Sequence, residues 1–171
     1  EDWLKLARSY GVLGKQEKAK EALARAETAR KAIFAEGARA YDGGDYEAAF
    51  GNWHRLARGG NALAQTAIAG MFRSGNGRAV DMAQAALWYS RAAGQGEPVA
   101  QMNLGEMYRL GLGVKRDRIQ AYVLFTQAAA QGKTWAATEL GKLVATMTAD
   151  ELAIAAGRLR EDGISGKKPL K

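Results

Sequence analysis

"AQMNLGEMYRLGLGVKRDRIQAYVLFTQAAAQG", residues 100–132, decides the fold. Ala100, Leu104, Met107 and Tyr108 recur at helical spacing, and so do Ala121, Leu124, Phe125 and Ala128. Two amphipathic helices are therefore predicted, joined by the turn "GLGVKRD" at 111–117. Asp117 followed three residues later by Gln120 has the form of a capping box opening the second helix.

Nearly the same text stands thirty-six residues earlier, "AQTAIAGMFRSGNGRAVDMAQAALWYSRAAGQG", with Asp81 and Gln84 in the capping places. Sliding the chain over itself aligns Ala49, Ala85 and Ala121, then Trp53, Tyr89 and Phe125, then Ala57, Ala93 and Ala129. Gly60, Gly96 and Gly132, and Ala64, Ala100 and Ala136, follow in register. Each column has a packing role. Alanine lets backbones approach, the aromatic fills the space between helices, and glycine ends a helix where positive φ costs little. One such pair of helices cannot bury its apolar face alone, so successive pairs must share a continuous core. The fold class this predicts is all-α, an α-solenoid of stacked antiparallel hairpins.

The rest of the composition agrees. The 171 residues contain no cysteine, which excludes disulfides, thiolate zinc sites and cysteine nucleophiles. Only Pro98 and Pro169 interrupt helix propensity, and no run has the roughly 20 apolar residues of a membrane span. The net charge of +7 is spread along the chain and makes no dense basic stripe, so nucleic acid is not the expected partner.

The columns resemble the Sel1-like repeat, and "DWLKLARSYGVLGKQEKAKEALARA" and "EGARAYDGGDYEAAFGNWHRLARGG" resemble the related tetratricopeptide (TPR) unit. The first Sel1-like copy departs from the pattern at Ala69, where glycine is usual, and at Arg78, where valine is usual. The resemblance implies a right-handed superhelix over residues 1–163 as one domain. TPR-like hairpins span 1–30 and 31–61, Sel1-like repeats 62–98 and 99–134, and a degenerate repeat with a C-terminal cap 135–163; a basic tail occupies 164–171. Thr148 with Glu151 forms a further capping box in the cap. No glycine or proline interrupts Gln16 to Glu36, and the first passage between units is about four residues shorter than ordinary TPR stacking. One long helix shared by the first two hairpins is expected, which would offset the first hairpin or let it exchange with another copy. A helix boundary at Thr28 would contradict it.

Chemistry is sparse. His54 is the only histidine and stands beside Trp53 in a helix, where packing is its expected role. The serines lack a nucleophile-elbow context, and the glycine loops follow helices and lack the Walker ending. Asp42 with Asp45, and Glu161 with Asp162, sit at a turn and a helix end, where capping and solvation are expected. Trp88 and Trp135 are less constrained by the columns and are expected to be exposed ligand contacts. No catalytic residue, cofactor site or metal site is assigned, and the protein is read as not an enzyme.

What remains is a surface. In the TPR resemblance the groove is lined by positions of each first helix, which selects Arg8, Tyr41, Arg73, Glu106, Arg109 and Lys142, with Phe34, Asp42, Met102, Leu110 and Thr138 beside them. Arg73 and Arg109 are one period apart, and two guanidinium groups on successive rungs suit an extended acidic peptide or an acidic chain terminus. The resemblance implies a protein-interaction scaffold or adaptor, frequently bacterial and frequently exported or membrane-associated, or an accessory subunit of a larger complex. "DWLKLARSYGVLGKQEKA" is also similar to TPR units of bacterial cytochrome c maturation proteins, which implies a periplasmic peptide-holding role as the alternative. A cytoplasmic setting stays open.

Overall fold

A computed structural model of the chain describes residues 2–161, so the basic tail and Asp162 lie outside the described residues. The fold is an all-α solenoid. The chain divides into two compact units at Gly59 and Gly60.

The first unit holds α1 (Asp2–Val12), α2 (Gln16–Asp42) and α3 (Tyr46–Arg58). The 27 residues of α2 form one unbroken helix, about 40 Å long at 1.5 Å per residue. Thr28 is no boundary: its hydroxyl donates to the Ala24 carbonyl at 2.9 Å, inside the helix. Both α1 and α3 pack on α2. Ala7 of α1 and Ala19, Ala22 and Ala26 of α2 are buried, small side chains that permit close approach. Toward the other end of α2, the Trp53 indole N–H from α3 donates to the Phe34 carbonyl at 3.1 Å. Gly37 makes room for that ring, since a Cβ there would lie 2.6 Å from Trp53 Nε1. Asp45 caps α3 by accepting from the Ala48 N–H at 3.0 Å, the turn role expected of it.

The second unit stacks the hairpin of α4 (Ala62–Ser74) and α5 (Met82–Ala93) on that of α6 (Pro98–Leu110) and α7 (Arg118–Ala130). Next, α8 (Thr134–Val144) packs on α7, and α9 (Ala149–Glu161) also returns to α7 rather than pairing closely with α8. Thr148 and Glu151 cap α9 reciprocally, at 3.2 and 2.8 Å. Arg118 of α7 holds this end in place through Thr146 and through Glu151 at 3.5 Å.

The columns are the core. Ala49, Ala85, Ala121, Ala64, Ala100 and Ala136 have no exposed surface, and Trp53, Tyr89 and Phe125 are buried. Gly60, Gly96 and Gly132 have φ of +89°, +84° and +84°, the left-handed region in which glycine carries no Cβ penalty. Asp81 and Asp117 accept from the N–H of Gln84 and Gln120, each at 2.9 Å. The return half of the expected capping boxes is supplied differently. The Asp81 and Asp117 N–H groups donate to the carbonyls of Phe72 and Tyr108, at 2.9 and 3.0 Å, which locks each long loop to the helix before it.

Candidate partner-binding wall

In the second unit, α4, α6 and α8 carry the groove residues that the sequence selects there: Arg73, Glu106, Arg109 and Lys142. Arg73, exposed on the last turn of α4, donates from Nη1 to the Asn103 side-chain oxygen on α6 at 2.6 Å. The Asn103 amide is itself oriented, because its Nδ2 donates to the Val99 carbonyl at 2.8 Å. One turn on, Arg109 donates from Nε and Nη2 to the two carboxylate oxygens of Glu106, both at 2.6 Å. That is a two-pronged pair of the kind expected with a ligand, here closed within one helix. On α8, Lys142 donates to Glu139 at 2.6 Å.

Charges also act between rungs. The hydrogen bonds of Glu106 raise the Arg109 guanidinium above its ordinary value against the opposing cost of burial, and the negative charges of Glu106 and Glu139 add to the rise. Arg109 therefore stays charged throughout the range in which proteins are folded. Arg73 and Asn103 are thirty residues apart, as are Arg109 and Glu139, so each arginine faces the same position of the following repeat. In one case that position is a neutral amide and in the other a carboxylate. The spacing was visible in the sequence as a second offset, but only the thirty-six-residue identity columns draw the eye.

The two residues selected in the first unit behave differently. Arg8 is exposed on α1 and makes no ion pair with a described residue. Tyr41 is half-buried, with ring centroids 5.2 Å from Tyr46 and 5.5 Å from Trp53, so its ring serves packing.

Other expectations resolve as follows. Trp88 is buried at 7 % exposure, which corrects its reading as an exposed contact. The buried face of α5 is wide, taking in Ala85, Ala86, Tyr89, Ala92 and Ala93 as well, and Arg91 covers the Trp88 ring at 4.6 Å. Trp135 is exposed at 43 % and meets Phe125 edge-on at 5.9 Å. His54 stacks on Phe50 at 5.1 Å. Among the described residues no group of three histidine, aspartate or glutamate side chains could hold a metal ion, and no helix is long and apolar enough to cross a membrane.

Two glutamine pairs escaped sequence reasoning. Gln95 donates to the buried Gln65 at 2.8 Å, and Gln131 donates to the buried Gln101 at 2.9 Å and to the Gly96 carbonyl at 3.1 Å. They satisfy buried amides and tie the end of one hairpin to its start and to the preceding turn. Repeated glutamines at matching places were the available signal.

The Sel1 repeat model matches residues 62–97 and 98–133. A Sel1 repeat protein from Oxalobacter formigenes is 34% identical in sequence, with a TM-score of 0.61 over 66% of this chain and 88% of its own. A protective antigen of uropathogenic Escherichia coli with an SLR fold is 25% identical, with a TM-score of 0.69, over 99% of this chain and 41% of its own. No curated protein is detectably similar in sequence. Sel1 repeat proteins are generally non-catalytic protein-interaction scaffolds. With two consecutive repeats matched and a solved relative aligned along most of its length, the chain belongs to the Sel1 repeat family.

Proposed function

We propose that this chain is a scaffold that holds an extended acidic segment of a partner protein along the wall of α4, α6 and α8, as an accessory subunit of a larger complex. The observation that carries the reading is the unequal anchoring of the two wall arginines. Arg73 is exposed and held only by a neutral amide oxygen, so its charge is uncompensated and open to a carboxylate. It is the primary anchor. Arg109 is already forked onto Glu106, and a ligand carboxylate must replace that partner like for like. The pair is forked and part-buried, so a ligand carboxylate must take up the same two-pronged geometry to replace it. Lys142, paired with Glu139 on α8, repeats the closed pair of Arg109 and Glu106. The wall thus reads a carboxylate first at Arg73 and sets the register of the rest.

The test is capture of partners from a native extract after mild crosslinking, with mass spectrometry, using the intact protein beside an Arg73→Glu/Arg109→Glu variant. A defined protein retained by the native chain and lost by the variant is the expected result. The same protein retained by both would move the interface off this wall, and recovery of nucleic acid alone would overturn the scaffold reading.

A further inference from the structure

The first hairpin exposes apolar side chains on α1. Because α2 runs straight from one hairpin into the next, its first part serves as the second helix of one pair and its last part as the first helix of another. No substantial packing joins α1 to α3. The apolar stripe of α1, with Trp3, Leu6 and Tyr10 at spacings of three and four, is left without the neighbour a regular stack supplies, and Leu13 follows in the turn. Trp3 and Leu6 are each 37 % exposed and Leu13 is 64 % exposed.

Trp3, Leu6 and Tyr10 form one side of a cleft of about 250 Å³ between α1 and α2, and Lys18, Glu21, Ala22 and Arg25 form the other. Its two cations stand over its two rings: the Arg25 guanidinium is 4.8 Å from the Trp3 ring centre, and the Lys18 ammonium 5.9 Å from that of Tyr10. The cleft therefore has an apolar floor and a positively charged edge.

Charge says what fits it. Over residues 1–25 the cations Lys5, Arg8, Lys15, Lys18, Lys20 and Arg25 outnumber the carboxylates, which are Glu1 and Asp2 at the start and, on α2, Glu17 and Glu21. Glu17 and Glu21 are already paired, with Lys20 at 2.9 Å and Arg25 at 2.6 Å. A second copy of this hairpin would bring like charges together. A helix with an apolar stripe and acidic flanks would bury its stripe on Trp3, Leu6 and Tyr10 and meet Lys18 with a carboxylate.

We propose that the α1–α2 cleft docks an acidic amphipathic helix of a partner protein, independently of the α4–α6–α8 wall. The probe is a synthetic helix with leucines at i, i+3, i+4 and i+7 and glutamates on its flanks, beside a version with lysines on its flanks. Titration by fluorescence anisotropy against the full chain should show binding of the glutamate probe and at least tenfold weaker binding of the lysine probe. Leu6→Glu and Lys18→Glu, both at exposed positions, should each weaken the glutamate probe about tenfold with the helical circular dichroism unchanged. Arg73→Glu/Arg109→Glu should leave it unchanged, which separates this surface from the wall. Equal binding of the two probes, no binding, loss of binding only in the wall variant, or self-association of the chain that Leu6→Glu abolishes would each overturn the proposal.

Discussion

The repeats at 62–97 and 98–133 share a backbone plan and differ in how individual places are filled. Tyr89 in one and Phe125 in the other occupy the same buried site, and the same alanines surround them. Beneath the ring, however, the first repeat has Ala69 and the second Gly105. At the start of the first helix, Asn61 and Glu97 accept from the N–H of Ala64 and Ala100, at 2.8 and 2.5 Å, while the following repeat places Lys133 there with no side-chain cap. On the wall, Arg73 meets an amide and Arg109 a carboxylate. The ring and alanine columns are kept, while the residue beneath the ring, the cap and the wall residues differ from copy to copy. On the proposed reading, the columns set stability and the wall sets selectivity.

The largest effect expected is at the ring column. Phe125→Ala empties a site with no exposed surface between α6, α7 and α8, and should lower the unfolding free energy by about 3–5 kcal/mol, read from urea denaturation. Next is the residue beneath the ring. A Cβ at Gly105 would lie 2.9 Å from two atoms of Phe125, so Gly105→Ala should cost about 1–3 kcal/mol as overpacking. The opposite change in the first repeat, Ala69→Gly, makes no clash and should cost about 0.5–1 kcal/mol through helix propensity. Equal costs at the two places would mean that the ring positions are not distinct.

The missing cap offers a gain. Lys133→Asn copies Asn61 onto a residue whose φ of −78° and ψ of 93° already suit an N-cap, and should stabilise the second unit by about 1 kcal/mol. An unchanged urea midpoint would show that the start of α8 needs no cap. Glu106→Gln takes the charge from a forked, part-buried pair and should change stability by about 1 kcal/mol. It frees the Arg109 fork, and it should strengthen binding of a glutamate-rich extended peptide as measured by calorimetry. Weaker binding would show that Glu106 positions Arg109 for the partner rather than competing with it.

The contrast between columns and wall also explains what was legible in the sequence. Trp53, Tyr89 and Phe125 could be aligned because each copy meets the same neighbours, and repetition exposes what repeated packing demands. The long α2 was legible for a different reason, since no residue between Gln16 and Glu36 breaks a helix. Trp88 was misread because its burial depends on the width of one helix's contact, which a column of identities does not record. The hydrogen-bond partner of Arg73 and the carboxylate that acts on Arg109 from the next rung were hidden because Asn103 and Glu139 differ in kind. An offset found by identity cannot show a position where the repeats disagree, and the proposed binding wall is built on such positions.

The most direct test of that division is an NMR titration of the full chain with a glutamate-rich extended peptide, following backbone amides. Shifts concentrated around Arg73, Asn103, Arg109 and Lys142, with the ring column around Tyr89 and Phe125 undisturbed, are predicted. Shifts confined to the opposite face along α5 and α7, or absent from α4 and α6, would contradict the assignment of binding to the wall.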